Sequence, residues 1–356
     1  MKILLAFNGN RSLFSVHKSE ELLEDIFHFP TTHMSEVNSL LIAYWLEKLG
    51  HDVSFLVRST STTDGLHFKP VSITSLRPRD YDVLFIFKVH GLKLCEEIIK
   101  QPWKRIVAWL DSPNPQNILG DYALRISTFF WGTPEIAELE TPRWPKAEHV
   151  VCEHATALAV RPQICSAIPR GLYAGRLPVV YRDQLIAAAA GCHMLAYGLW
   201  LDTGTDRVLL RPGQCTSIDL EWAQRSLPET IELRPGANML QEANCATACA
   251  FGLCPSAGNA SKQLLSASKF YDYAALGLPV LLAQNTPEAE HVRKQPYLGM
   301  LYDPSDSDAI ANAAATLAQD IKESGFAERR VAIQDWCYAG HTYRDRAEVI
   351  NAELTK

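Results

Sequence analysis

The 356-residue sequence lacks any apolar run long enough to cross a bilayer near its start: Met1-Lys2-Ile3-Leu4-Leu5-Ala6-Phe7 gives way to Asn8-Gly9, far short of the roughly 20 residues a spanning helix needs. It reads as a first buried strand. A surplus of positive charge is missing too. Against 34 Lys and Arg stand 40 Asp and Glu, a formal charge of −6, which offers no global attraction to a phosphate backbone or an anionic membrane. Basic stretches such as Arg77-Pro78-Arg79 and Lys104-Arg105 are too short for a nucleic-acid groove. The nine cysteines are odd in number and sit in apolar stretches, as reduced core residues of a cytoplasmic protein do. Cys245, Cys249 and Cys254 match no common zinc spacing. The turn Gly9-Asn10-Arg11 lacks the second and third glycines of a dinucleotide fingerprint, which argues against an NAD enzyme.

What the sequence does have is 47% hydrophobic residues against 21% charged, enough for two domains with full cores. Apolar runs of strand length alternate with helical periods, the pattern of a parallel sheet wound with helices. Strands are expected at 2–8, 52–57, 81–87, 105–110 and 149–152, with a helix at 35–49 burying Val37, Leu40, Leu41, Tyr44 and Leu49 and stopped by Gly50. Pro169 and Gly171 punctuate the chain, so a boundary is placed near Arg170. The pattern then restarts: strands at 177–181, 207–210, 230–233, 251–254 and 279–282, and helices at 184–201, 217–226, 239–250, 266–276 and 306–323. Asp306-Ser307-Asp308 opens the last of these and reads as a cap rather than a metal motif. Two wound sheets place chemistry in the loops at the carboxyl ends of their strands.

The most specific of these segments is Ser266-Ala267-Ser268-Lys269-Phe270-Tyr271-Asp272-Tyr273-Ala274-Ala275-Leu276-Gly277-Leu278-Pro279-Val280. A helix opening there presents free N–H groups to an anion, and a lysine in its first turn adds a charge. Lys269 and Asp272, three apart, share a face. This stretch resembles the donor-binding segment of GT-B glycosyltransferases of the group 1 kind, Lys-x-x-Glu-Tyr-x-Ala-x-Gly-x-Pro-Val. The ending Gly340-His341-Thr342-Tyr343-Arg344-Asp345-Arg346 is similar to the His-Thr-Tyr-x-x-Arg ending of that superfamily, nearest its spore-maturation-type branch.

The resemblance implies two Rossmann-like domains facing a cleft: residues 1–169 on the acceptor side, 170–335 binding a nucleotide sugar, and a helix at about 336–356 packing back on the first. It implies transfer of a sugar, a hexose most simply, from a nucleotide-diphosphate donor, with UDP-sugar the leading candidate and no metal or cofactor. Lys269 would meet the diphosphate and Asp272 the hydroxyls, with Ser266, Ser268 and Gly9 also on the donor side. The sequence departs from the family at Leu264, where relatives carry a glutamate, and in the acid itself, Asp272. A glycine-rich turn after the second domain's first strand is not evident, and Arg182 is assigned to clamp the diphosphate in its place. An inverting transfer needs a base near the acceptor hydroxyl. Asp111 and His90 follow strands of the first domain and are the candidates, and the insertion 10–32, with a short helix expected at 19–27, is a candidate lid. The rival readings are a non-catalytic sugar-nucleotide or glycan binder, a GT-B epimerase, and a phage-type enzyme glycosylating modified DNA bases.

Overall fold

A computed structural model describes residues 1–7, 34–57, 67–87, 97–110, 113, 115, 119–202, 204, 207–210, 215–235, 243–256 and 267–356. The chain divides into two compact units, one of Met1–Ala159 with Tyr343–Lys356, the other of Val160–Gln263 with Ala267–Thr342. The division falls before residue 170, and the returning segment starts at Tyr343 rather than near 336.

The first unit is built on β1 (Lys2–Phe7), α1 (Met34–Lys48), β2 (Asp52–Val57), β3 (Lys69–Ser72), β4 (Val83–Phe87), β5 (Arg105–Leu110), β6 (Thr128–Trp131), α2 (Pro134–Glu140) and β7 (Glu148–Val151). Its seven strands are all parallel in the order β3-β2-β1-β4-β5-β6-β7. One face buries Ile3, Leu5, Phe85, Phe87 and Trp109 under α1 and the C-terminal helix Tyr343–Leu354. The other buries Leu4, Leu84, Ile86, Ile106 and Ala108, so the strands are apolar on both faces and read as continuous runs. Gly50, at φ +89°, ends α1 in the left-handed turn that glycine tolerates. Leu49 is 38% exposed rather than buried, because α1 has ended at Lys48 and Leu46 fills the core position. Two strands escaped the sequence pattern. Lys69–Ser72 opens on lysine and proline, and Thr128–Trp131 is only four residues long.

The second unit runs β8 (Arg170–Leu177), α3 (Val179–Gly191), β9 (His193–Asp202), β10 (Arg207–Leu209), α4 (Ser217–Arg225), β11 (Ile231–Pro235), α5 (Ala243–Thr247), β12 (Phe251–Cys254), α6 (Ser268–Ala275), β13 (Val280–Ala283), α7 (Ala289–Lys294), β14 (Gly299–Tyr302), α8 (Ser307–Gln319) and α9 (Phe326–Tyr338). Its parallel strands follow β11-β9-β8-β12-β13-β14, and the short β10 pairs antiparallel with the far end of β9. Each sheet therefore carries the doubly wound order in which the chain steps one way from its first strand and then returns to the other side. Asp306 caps α8 by accepting from the Ala309 amide at 2.9 Å, and Ile310, Ala313, Ala314 and Leu317 are buried, as expected.

Two assignments at the start of this unit are corrected. Residues 177–181 are not a strand: β8 ends at Leu177, Pro178 takes the cap position and α3 begins at Val179. The β-branched Val179-Val180 pair reads as extended, while the true strand is disguised by Arg170, Gly171, Gly175 and Arg176. The span 184–201 is not one helix, since α3 stops at Gly191 and β9 starts at His193. Gly191 is where α3 and α8 touch, a Cβ there falling 2.0 Å from the Ala311 carbonyl oxygen. Of the span expected as a helix over 239–250, the described residues are helical at Ala243–Thr247, and the helix ends at Thr247 rather than at 250.

Candidate functional site

In the second sheet the strand order reverses between β8 and β12, the switch point at whose carboxyl end open α/β sheets hold their ligands. Three chain segments meet that end: Gly175-Arg176-Leu177 closing β8, Cys254-Pro255-Ser256 closing β12, and the first turn of α6. Lys269 is the second residue of α6. Its Nζ lies 5.6 Å from the Tyr173 ring centre and 5.8 Å from that of Tyr181, a cation between two aromatic faces. No ion pair joins it to an acid among the described residues.

The side chain keeps part of its surface open, yet its ammonium is shielded by packing. Desolvation pulls its pKa below the ordinary lysine value and the like charge of Arg176 pulls in the same direction, opposed by Cys254 and Asp272. A shielded, unpaired cation beside a second cation is a site short of an anion. Arg176 is exposed and has no acid partner among the described residues. The helix end reinforces the field: Ala267 provides no side-chain cap to α6, and the Ser268 hydroxyl makes no hydrogen bond to a described residue. The first amide of the turn, Ala267 N–H, donates to the buried Glu288 carboxylate at 2.6 Å.

Beneath this cation pair lies a closed polar network. The Gln184 amide donates to the Ser256 carbonyl at 2.8 Å, while its oxygen accepts from the Ser256 N–H at 3.1 Å and from the Tyr302 hydroxyl at 2.7 Å. The Tyr273 hydroxyl accepts from the Ala174 amide at 2.9 Å, which ties α6 to the penultimate turn of β8. Tyr173 donates to the Arg176 carbonyl and pins the bulge between Gly175 and Arg176. These bonds tie the strand end that carries Arg176 to the helix end that carries Lys269.

Of the sequence-assigned residues, Lys269 and Ser268 stand at this edge. Asp272 is one turn further along α6, only 4% exposed. Arg182 does not end a strand; it is the fourth residue of α3, where Nη2 meets Asp183 at 3.1 Å and Nη1 the Asp202 carbonyl at 3.1 Å. The strand-end cation is Arg176, which the sequence reading passed over because β8 was placed too late. A glycine followed by arginine closing a buried strand was the available signal. Ser266, Gly9, His90 and Asp111 lie outside the described residues. Gly9 and His90 follow β1 and β4, the two strands at the first sheet's own switch point, and Asp111 follows β5. The cysteine trio has structural roles: Cys249 donates to the Cys245 carbonyl, Cys254 is buried, and burial pushes the Cys249 thiol up to about 11.

His341 stacks on Trp336 with ring centres 4.0 Å apart, in a cluster with Tyr271 and His291 that backs α6. Behind the same helix, the buried Arg330 donates to the carbonyls of Gly277 (2.9 Å), Cys165 (2.8 Å) and Thr247. The glycine that stops α6, Gly277 at φ +69°, is thereby anchored.

No family model matches the sequence, and no curated protein matches it. Solved structures do match its fold. Sucrose-phosphate synthase from Thermosynechococcus elongatus superposes with a TM-score of 0.62 at 14% identity, over 99% of this chain and 98% of that one. A glycosyltransferase from Rickettsia africae gives 0.64 at 10% identity, over 100% and 98%. The β-glucosyltransferase of phage T4 gives 0.57 at 11% identity, over 100% and 99%. The chain has the GT-B fold, with a Rossmann-like α/β sheet in each of its two units.

Proposed function

We propose that the protein is a glycosyltransferase that moves a sugar from a nucleotide-diphosphate donor, UDP-sugar being the first candidate, to an acceptor hydroxyl. The observation that carries this reading is the pair of cations, Lys269 and Arg176, without acid partners among the described residues at the switch point of the second sheet. The neighbouring folds named above are those of glycosyltransferases and a sucrose-phosphate synthase, which agrees with it. A neighbouring fold alone does not establish an activity.

In this reading Lys269 and Arg176 bind the diphosphate oxygens and the uncapped start of α6 adds its dipole. As the bond between the anomeric carbon and the diphosphate oxygen breaks, negative charge grows on that oxygen, and these groups stabilise it where a metal ion otherwise would. The acceptor oxygen forms the new bond to the anomeric carbon and gives its proton to a base, for which Asp111 and His90 are the proposed groups. The relation to the spore-maturation branch rests on the ending Gly340–Arg346.

Thermal shift against nucleotides and nucleotide sugars tests the donor half: a ligand at about a hundredfold excess over its Kd adds ~2.7 kcal/mol of stability. Stabilisation by UDP or a UDP-sugar, followed by its hydrolysis or transfer, is the expected result. Stabilisation without turnover under any acceptor supports the binding-protein reading, and none with any nucleoside diphosphate overturns both. Transfer to a modified nucleobase is the second enzymatic reading, in whose favour stands the phage β-glucosyltransferase fold; DNA binding that weakens steeply with salt is its signature.

A further inference from the structure

We propose that Tyr181 is a further donor-binding residue, its hydroxyl donating a hydrogen bond to a non-bridging oxygen of the diphosphate beside Lys269 and Arg176. The inference rests on the glycosyltransferase reading above and adds a neutral contact to its two cations. Tyr181 is the third residue of α3, a helix that opens after Pro178 with no side-chain cap and no acid in its first turn. The Tyr181 amide turns back onto the Pro178 carbonyl at 2.9 Å, as does that of Arg182. This turn follows β8 directly and sets the Tyr181 ring centre 5.8 Å from the Lys269 Nζ.

Tyr181 differs from the other tyrosines at this edge. Tyr173 donates to the Arg176 carbonyl, Tyr273 accepts from the Ala174 amide, and Tyr302 donates to the Gln184 oxygen. All three are buried, and their hydroxyls are engaged in holding strand and helix ends. Tyr181 is only half-buried; its hydroxyl bonds to no described residue and stays open to solvent. The groups around it do not supply the missing acceptor. Protonated Lys269 and Arg176 have donors alone, and the sulfur of the buried Cys254 accepts weakly. Burial pushes the Tyr181 phenol above its ordinary pKa of 10.0, with Cys254 adding to the effect and Arg176 opposing it, so the oxygen keeps its proton at neutral pH. A phenol O–H among cations lacks only an acceptor, and the diphosphate that those cations attract brings several oxygens of that kind.

Calorimetric titration of the full chain with UDP, GDP, ADP and inorganic pyrophosphate tests the proposal on the parent, Tyr181→Phe and Lys269→Ala. Tyr181→Phe keeps the ring beside the Lys269 ammonium and deletes only the hydroxyl. Its Kd is expected to weaken about tenfold, for pyrophosphate as for the nucleoside diphosphate that binds. The unliganded melting point should match the parent's, whereas loss of a structural bond would lower it. A change under about twofold, or a loss confined to the nucleoside diphosphates, overturns the proposal, while weakened binding in Lys269→Ala would still uphold the donor site. Undiminished binding in both variants, or no saturable binding by the parent, overturns the donor reading and this inference with it. Should Tyr181→Phe fail to fold, Tyr181→Leu decides: a loss at least as large is expected, and undiminished pyrophosphate binding refutes the contact.

Discussion

Lys269 crosses β8 where Gly175 has no side chain: a Cβ on that glycine would lie 2.8 Å from the lysine Cε and 3.2 Å from its Nζ. Gly175 also has φ +134°, a region that side-chain-bearing residues rarely adopt. Strand bulge and helix lysine are therefore fitted to each other. Gly175→Ala is expected to leave a folded protein, since the obstacle is the end of a flexible chain, but to displace the ammonium. The stabilisation conferred by UDP or a UDP-sugar should fall by about 1–2 kcal/mol. A thermal-shift titration of the variant reads this directly.

Removing either cation should cost donor affinity without costing stability. Lys269→Ala and Arg176→Ala each forfeit a charge-assisted bond to the diphosphate, about 1.5–3 kcal/mol, or roughly 10- to 150-fold in Kd. The unliganded melting point of Lys269→Ala should stay near the parent's, because the deleted ammonium is desolvated and repelled by Arg176. Calorimetric Kd values for UDP across the two variants check both halves. Unchanged affinity in both would move the donor site elsewhere.

The depressed pKa of Lys269 sets a pH dependence with a definite sign. Free Lys269 loses its proton below the 10.5 of an ordinary lysine, and a bound diphosphate needs the protonated form. Donor affinity should therefore decline as pH rises through the depressed value, earlier than for an exposed lysine. The folded chain without ligand behaves oppositely: it binds fewer protons than the unfolded chain between the depressed pKa and 10.5, so this group's penalty is relieved as pH rises through that window. Lys269→Arg should retain binding to higher pH. A pH series of Kd values for both proteins distinguishes this from a general loss of fold.

Arg330 is a structural counterpart to the two site cations. It is 2% exposed, and burial pushes its guanidinium down to about 10, which leaves it charged at neutral pH. Three carbonyls replace its water shell. Arg330→Met should destabilise the protein by about 3–5 kcal/mol because it strands those carbonyls. Chemical denaturation measures the loss, and UDP at saturation should recover part of it by mass action.

For the acceptor side, Asp111→Asn or His90→Ala should lower transfer about 100-fold or more where that residue is the base, with UDP affinity held constant. Steady-state rates at saturating donor separate the two. A chain in which neither substitution slows transfer takes its base from another group.

Much of the fold could be read from residues alone, because doubly covered parallel strands are apolar throughout: Val83–Phe87, Arg105–Leu110 and Phe251–Cys254 announce themselves. So do α6 and its stop at Gly277, since lysine, glycine and proline have local reasons for their places. Hydrophobic periodicity failed at β8, where Gly171 and Gly175 are demanded by neighbours distant in sequence, Met194, Phe251 and Lys269. With that strand placed too late, Arg182 reads as a strand-end cation, whereas in the structure it lies in α3 with its guanidinium on Asp183 and the Asp202 carbonyl. Local composition determines which segments become strands and helices, because burial and backbone preference act over a few residues. Which cation is left without an acid is decided only when β8, β12 and α6 converge, for an unpaired charge is a property of its surroundings and not of its own residue type.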